Sequence, residues 1–295
     1  MEAPASRVGP VLAGFDGTPS GEDALALAAA CTRVLGTSLV VATVHPAPAP
    51  ISSAHVDAEW VANRHRHAEK ILDGARHRLA DVQPVDYRVV ASSSAAHGLH
   101  DAAEEVDASL IVVGSSSQAA QHRLLAGSTA DRLLAGSQVP VAVAPSGFRD
   151  EDVGVLGRIG VAYIDTPDAK AALDLAVRVA VRVGGTLTLY SVLAKEAEVV
   201  VPVIGRDAEH AFVARAHESF QRALDLAVAG IPPEVSSSAH ILTGDVVKVL
   251  SELDEVDLLF CGSRGYGPAR RILLGGVSSR LVRQARSPII VVPRA

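Results

Sequence analysis

Aromatic residues are scarce. They make up 3% of the 295 residues, with one Trp, four Tyr and five Phe, although 48% of the chain is hydrophobic. A core short of aromatics has to be filled by Ala, Val and Leu, which favours closely packed α/β layers. Cysteine is nearly missing as well. Cys31 and Cys261 fall in a predicted helix and a predicted strand, a pattern that excludes a disulfide scaffold and fits a reducing cytoplasm. The formal net charge is −6 and no long basic run occurs, which excludes a general nucleic-acid surface. There is no stretch of eighteen apolar residues and no apolar signal core in the opening MEAPASRVGP, so a soluble protein with no membrane contact is expected.

Two nucleotide fingerprints are missing too. None of Lys70, Lys170, Lys195 and Lys248 follows a glycine, which rules out a Walker A loop, and no G-x-G-x-x-G occurs, which rules out the dinucleotide fingerprint. What is present is the stretch Gly262 to Ser279, GSRGYGPARRILLGGVSS, directly after the apolar run Val256 to Cys261. This order predicts a buried strand, a glycine-bearing loop and a helix beginning near Val277. Glycines allow φ > 0 and close approach of a ligand to the backbone, and the free N–H groups at a helix start attract anions. Ser278 and Ser279 would add hydroxyl donors. The stretch is therefore a candidate phosphate cradle, the alternative being a strand-to-helix connection that holds nothing.

A length of 295 residues suits two domains of roughly 150 residues each. In the first half, strands are predicted at Val8–Phe15, Ser38–His45, Val85–Ala91, Ser109–Val113 and Val139–Ala144. Helices are predicted at Ser20–Leu35, Val56–Leu79, Leu99–Glu105 and Thr129–Leu134, with Trp60, Ile71, Leu72 and Leu79 as core candidates on the second. The alternation β-α-β-α-β-α-β-α-β predicts an open five-stranded parallel sheet with helices on both faces, and such sheets bind ligands beyond the carboxyl ends of their strands. The second half repeats the first. Gly114 and Gly262, Gly127 and Gly275, Pro140 and Pro288, Pro145 and Pro293, Gly36 and Gly184, and Leu25 and Leu173 are each 148 positions apart. The repeat is one domain long, which marks a tandem duplication rather than a solenoid. Domains are expected at 1–146 and 158–295, joined by a linker over 147–157.

Gly262-x-x-Gly265, nine residues, and Gly275 resemble the nucleotide-binding pattern G-x-x-G-x9-G-[ST] of the universal stress protein family, except that Gly276 stands where Ser or Thr is usual. The resemblance extends over nearly the whole chain. It includes the Asp16-Gly17-Thr18-Pro19 turn, the Val113-Gly114-Ser115 loop, Gly127-Ser128-Thr129, and strands ending VAVAP and IVVP. It implies the adenine nucleotide alpha hydrolase-like fold in two tandem copies, arranged as an intramolecular pseudo-dimer in which Val141 to Val143 and Ile289 to Val291 pair antiparallel. It further implies a cytoplasmic, ATP-binding regulatory protein of the stress response, with ATP, alone or with magnesium, as the occupant and no dedicated catalysis beyond weak ATP hydrolysis. Homodimerisation through the same strand is known in the family. A domain whose sites have decayed into an interaction module, or a slow ATPase, are the competing readings.

The resemblance assigns ribose or adenine to the aspartate after strand one, adenine to the backbone of strand two, and phosphates to the glycine loop. In the first half this designates Asp16, Val44, Gly114, Gly127, Ser128 and Thr129. Ser117 stands where a second glycine is expected, and a serine held at φ > 0 costs about 1–2 kcal/mol. In the second half it designates Gly262, Gly265, Gly275, Gly276, Ser278, Ser279 and Val192, with Arg264 beside the phosphates. Ile164 occupies the offset of Asp16, leaving Asp165 as the nearest acid. The second half thus has the better phosphate end and the first the better ribose end; with its glycine spacing intact the second half is expected to bind ATP through the backbone of Gly262 to Ser279, and the first, with Ser117 in place of a glycine, to bind it weakly or not at all. The histidine pairs His65/His67 and His97/His100 lack further ligands at metal spacing and are expected on helix surfaces.

Overall fold

A computed structural model describes residues 8–47, 58–82, 84–151, 154–193, 206–263 and 276–293. The chain forms two compact units, Met1–Val153 and Gly154–Ala295.

In the first unit the strands β1 (Val11–Gly14), β2 (Leu39–Pro46), β3 (Val85–Ser92), β4 (Leu110–Gly114) and β5 (Val141–Ala144) alternate with the helices α1 (Pro19–Leu35), α2 (Ala58–Arg78), α3 (Ala95–Glu105) and α4 (Ser128–Gly136). Their order across the sheet is β3-β2-β1-β4-β5, all neighbours parallel. The second unit repeats this with β6 (Arg158–Ala162), α5 (Pro167–Val183), β7 (Thr186–Leu193), α6 (Arg206–Ala229), β8 (Ser236–Thr243), α7 (Val246–Ser251), β9 (Leu258–Gly262), α8 (Gly276–Leu281) and β10 (Ile289–Val292). Within that unit the order is β10-β9-β6-β7-β8, again parallel. The strand order reverses between β1 and β4, and between β6 and β9, which opens a crevice at the carboxyl ends of those strands.

The same local chemistry starts and stops the first helix of each unit. Thr18 and Thr166 stand at the N-cap, accepting from Gly21 N at 3.2 Å and Ala169 N at 3.3 Å, and each is followed by a proline whose fixed φ suits a first helical position. Gly36 (φ 57°) and Gly184 (φ 62°) end them in the left-handed conformation that glycine adopts without strain. A second repeated tie fixes the exit of the first strand. Thr43 Oγ1 donates to Phe15 O at 2.8 Å and Ser191 Oγ to Tyr163 O at 2.7 Å, both in buried surroundings.

Besides other shifts of element ends, such as α3 beginning at Ala95 rather than Leu99 and β5 at Val141 rather than Val139, the structure departs from expectation in three places. The first strand begins at Val11 rather than Val8. Trp60, taken as core, is 39% exposed and lies under the Arg64 guanidinium, 5.3 Å from its ring centroid, whereas Leu72 and Leu79 are buried. The indole covers the outer face of α2 because an amphipathic ring gains from a cation without leaving solvent. The third departure is in the segment assigned to the linker. Phe148–Asp150 forms a 3-10 turn, Phe148 is buried, and the Asp23 carboxylate accepts from the backbone N–H groups of Gly147 and Arg149 at 3.0 Å each. Composition suggested a flexible connection over 147–157; an acid on α1 holds its first residues against the first unit.

Candidate functional site

In the first unit a cavity of about 330 Å³ opens beyond the ends of β1, β2 and β4, and Asp16, Val44, Gly114, Gly127, Ser128 and Thr129 all line it. The resemblance had designated these six, drawn from four segments between Asp16 and Thr129. Phe15, Ala42, Ala95, Leu99 and Val113 add apolar wall. Asp16 is exposed and its Oδ1 accepts from Thr18 N at 3.1 Å and Thr18 Oγ1 at 2.6 Å, an Asx turn that orients the carboxylate over the start of α1. His45 is buried, with Nδ1 3.1 Å from Pro46 O.

At the opposite end, Gly127 precedes α4 with φ −83° and ψ 177°, and no side chain caps the helix. Its first N–H groups are left uncapped at a helix start that lines the cleft, Ser116 stands beside Gly127, and no protein partner holds the Ser128 and Thr129 hydroxyls among the described residues. The serines just after β4 behave differently. Ser115 Oγ donates to Ala144 O at 2.8 Å and receives Leu125 N at 3.3 Å, Ser116 N donates to Leu125 O at 2.7 Å, and Ser20 Oγ donates to Ser115 O. These bonds build the loop wall. Ser115 entered the sequence reading only as part of the Val113-Gly114-Ser115 loop and Ser20 only as a helix start, because nothing in the sequence shows which partner a loop serine bonds.

Gly114 has a different reason to be glycine from the one expected. A Cβ there would collide with the carbonyl of Ser20 in the first turn of α1, and at Gly262 it would stand 2.7–2.8 Å from the backbone C and O and the Cβ of Asp168 in α5. Both glycines let the helix start pack on the strand end. Neither has positive φ, nor do Gly127 and Gly276, and Ser117 is also outside the left-handed region. The strain assigned to Ser117 therefore does not arise. The turn places its one left-handed non-glycine residue at His122 (φ 55°), whose N–H donates to Ser146 O at 2.8 Å.

In the second unit Gly265, Gly275 and Arg264 lie outside the described residues. Gly262, Gly276, Ser278, Ser279 and Val192 line a cavity of about 730 Å³. Two expectations change. Ser278 is buried and its hydroxyl donates to Gly262 O at 2.6 Å, so it is spent on joining α8 to β9 rather than left for a phosphate. Asp165 does not line this cavity. Its Oδ1 pairs with Lys170 Nζ at 2.6 Å and it faces a separate groove with Asp174 and Arg178, since the residue one place after Ile164 points to the other side of the turn. Among the described residues nothing stands within 4 Å of where a Cβ on Gly276 would go, so none of them requires a glycine there in place of the usual Ser or Thr.

The buried thiols are poor nucleophiles. Burial pushes Cys31 up to about 12, and Cys261 up to about 12 against a small opposing effect of the Ser278 hydroxyl. Burial likewise raises Tyr163 and Tyr190, which line the second cavity. His97 and His100 stand beside Asp101 and Glu104 on α3 at 3.6 Å and 3.3 Å, and His65 beside Glu69 on α2 at 3.8 Å. Among the described residues no three His, Cys, Asp or Glu side chains converge to hold a metal, and no helix is long and apolar enough to cross a membrane.

Comparison with known proteins agrees with the duplicated layout. The model of the universal stress protein family matches residues 8–145 and again residues 156–293. Universal stress protein Mb2346c of Mycobacterium bovis and universal stress protein Rv2319c of Mycobacterium tuberculosis are each 31% identical to this chain over 298 residues, covering 96% of it and 99% of themselves. Among solved structures, a universal stress protein from Archaeoglobus fulgidus superposes with a TM-score of 0.62 at 20% identity, covering 97% of both chains. A putative universal stress protein from Pseudomonas aeruginosa gives 0.63 at 13% identity, covering 97% of this chain and 93% of its own. These two likenesses speak to the fold.

Proposed function

The chain belongs to the universal stress protein family, and we propose on that premise that it is a regulatory protein whose first unit holds an adenine nucleotide, ATP in the first instance. The observation that carries this is the convergence of Asp16, Val44 and the Gly127–Thr129 helix start on one cavity. The apolar wall of Val44, Ala95 and Leu99 suits a base, the Asp16 carboxylate accepts from ribose hydroxyls, and the uncapped start of α4 with two hydroxyls suits phosphate oxygens. Asp16 is the one ionisable side chain among the described residues lining the cleft. It can hold a hydroxyl, but it has no partner with which to share acid and base roles. This favours occupancy over turnover, and the nucleotide acts by being present or absent. A magnesium ion, if carried in, would arrive with the phosphates.

The test is nucleotide content of freshly purified protein, followed by titration with ATP. Asp16→Ala should weaken binding about tenfold, corresponding to about 1.4 kcal/mol, and Val44→Arg should remove it by filling the adenine position. Unchanged affinity in both variants would refute the assignment.

A further inference from the structure

The second cleft has kept its place in the fold and changed its chemistry. The two units are related by a shift of 148 positions, and at that shift four lining positions of the first cleft are replaced in one direction. Asp16 becomes Ile164, Ala42 becomes Tyr190, Thr129 becomes Val277 and Ser128 becomes Gly276, and all four replacements line the second cavity. Each step removes a polar group or adds apolar area. Two steps go the other way: Phe15 to Tyr163 adds a phenol hydroxyl while keeping the ring, and Ala130 to Ser278 adds a hydroxyl that is already given to Gly262 O.

The walls complete this change. Val246 and Leu250 on α7 stand where Ala95 and Leu99 of α3 line the first cleft, and Phe220 reaches in from α6, with no counterpart from α2 among the described lining residues. The cavity is about 730 Å³ against about 330 Å³ in the first unit. Drug-sized ligands are held in apolar cavities of about 300–1,000 Å³.

Anions are disfavoured. The position of Ser20 is taken by Asp168, which is 7% exposed and whose Oδ1 has no hydrogen-bond partner among the described residues. Asp168 packs on the strand end, since a Cβ on Gly262 would stand 2.8 Å from its own Cβ. Asp168 does not itself line the cavity, but its acidic side chain stands behind Gly262 where the first unit has Ser20, a neighbour that disfavours an anion at that strand end. The cation lining this cavity, Arg280, is exposed at its mouth.

We propose that the second unit binds an uncharged, predominantly apolar ring-bearing small molecule in the cleft walled by Ile164, Tyr190, Val192, Phe220, Val246 and Leu250. Duplication has thus produced two clefts for two ligand classes on one chain.

The experiment is a titration of the full chain with the neutral dye N-phenyl-1-naphthylamine. Its fluorescence should rise and saturate near one dye per chain, and a large excess of ATP should leave the signal in place. Val192→Arg and Val277→Asp should each weaken dye binding at least about tenfold. Val277 is half-exposed on α8, so its variant keeps the fold, which circular dichroism checks. Leu226→Asp, in the separate groove beside α5, should bind dye as the parent does. The proposal is overturned by absence of saturable dye binding, by displacement with ATP, by loss in Leu226→Asp, or by full binding in Val277→Asp.

Discussion

Asp23 provides the most decisive single perturbation of the first unit. It is 1% exposed on α1, and its carboxylate accepts three hydrogen bonds, from Gly147 N, Arg149 N and Arg149 Nη1, each at 3.0 Å. Arg149 is held in turn by Glu22 at 3.4 Å and by Pro19 O at 3.1 Å. Replacement by Ala strands two backbone donors and removes the buried half of an ion pair. Hydrogen bonds to a charged group contribute about 1.5–3 kcal/mol each, but three on one carboxylate are not additive, and breaking a buried pair from one side costs about 3–5 kcal/mol. Arg149 keeps its other partners and is partly solvated, which brings the expected loss for Asp23→Ala to about 3–4 kcal/mol. Asp23→Asn keeps the volume and one acceptor but turns an amide N–H toward a donor, and should lose about half as much. With a urea slope near 2 kcal/mol/M, Asp23→Ala lowers the first unit's midpoint by about 1.5–2 M. Amide exchange at Gly147 and Arg149 should accelerate in parallel. The effect reaches the cleft of the first unit, because the Ser146 carbonyl and N–H hold His122 N and Arg123 O of the loop whose first residues line it, so on the proposed function ATP affinity should fall severalfold. A midpoint shift below about 0.3 M, or unchanged exchange at both amides, would refute the reasoning.

Gly262→Ala should cost about 1–3 kcal/mol through overpacking against Asp168, read as a lower melting temperature; a neutral result would mean that the start of α5 gives way freely. The thiols of Cys31 and Cys261, raised from 9.0 to about 12, should stay unreactive toward Ellman's reagent in native protein at pH 8. Their neutral form favours folding fully below pH 9, and that contribution is lost as pH climbs from 9 to 12, since the unfolded chain deprotonates first. Rapid labelling of either thiol in native protein at pH 8 would contradict their burial. Ser117→Gly should leave ATP affinity within about twofold, because Ser117 is not in the left-handed region; a large gain would restore the strain argument.

The layout was legible in the sequence because it rests on local signals. The Thr-Pro caps, the stop glycines at 36 and 184, the apolar runs and the constant shift between halves all act within a few residues or repeat on one chain, and they predicted the parallel units and the family. The cluster of Asp16, Val44, Gly114 and Gly127–Thr129 was legible only through the family pattern, since no spacing rule joins residues that far apart. Other features belong to tertiary structure alone. Asp23 has Ala171 at its repeat position, so the duplication gives no hint of its three hydrogen bonds, and only packing of the 3-10 turn on α1 creates them. Whether Ser278 offers a hydroxyl to a ligand or gives it to Gly262 O depends on how closely α8 approaches β9. Gly114 and Gly262 look like ligand-facing glycines in any motif, yet the atoms that exclude a Cβ there are those of the helix start packed against them, nearly a hundred residues earlier in the chain. A residue's type sets which bonds it can make; the partner that takes them is decided by long-range packing, in which distant segments compete for the same few ångströms.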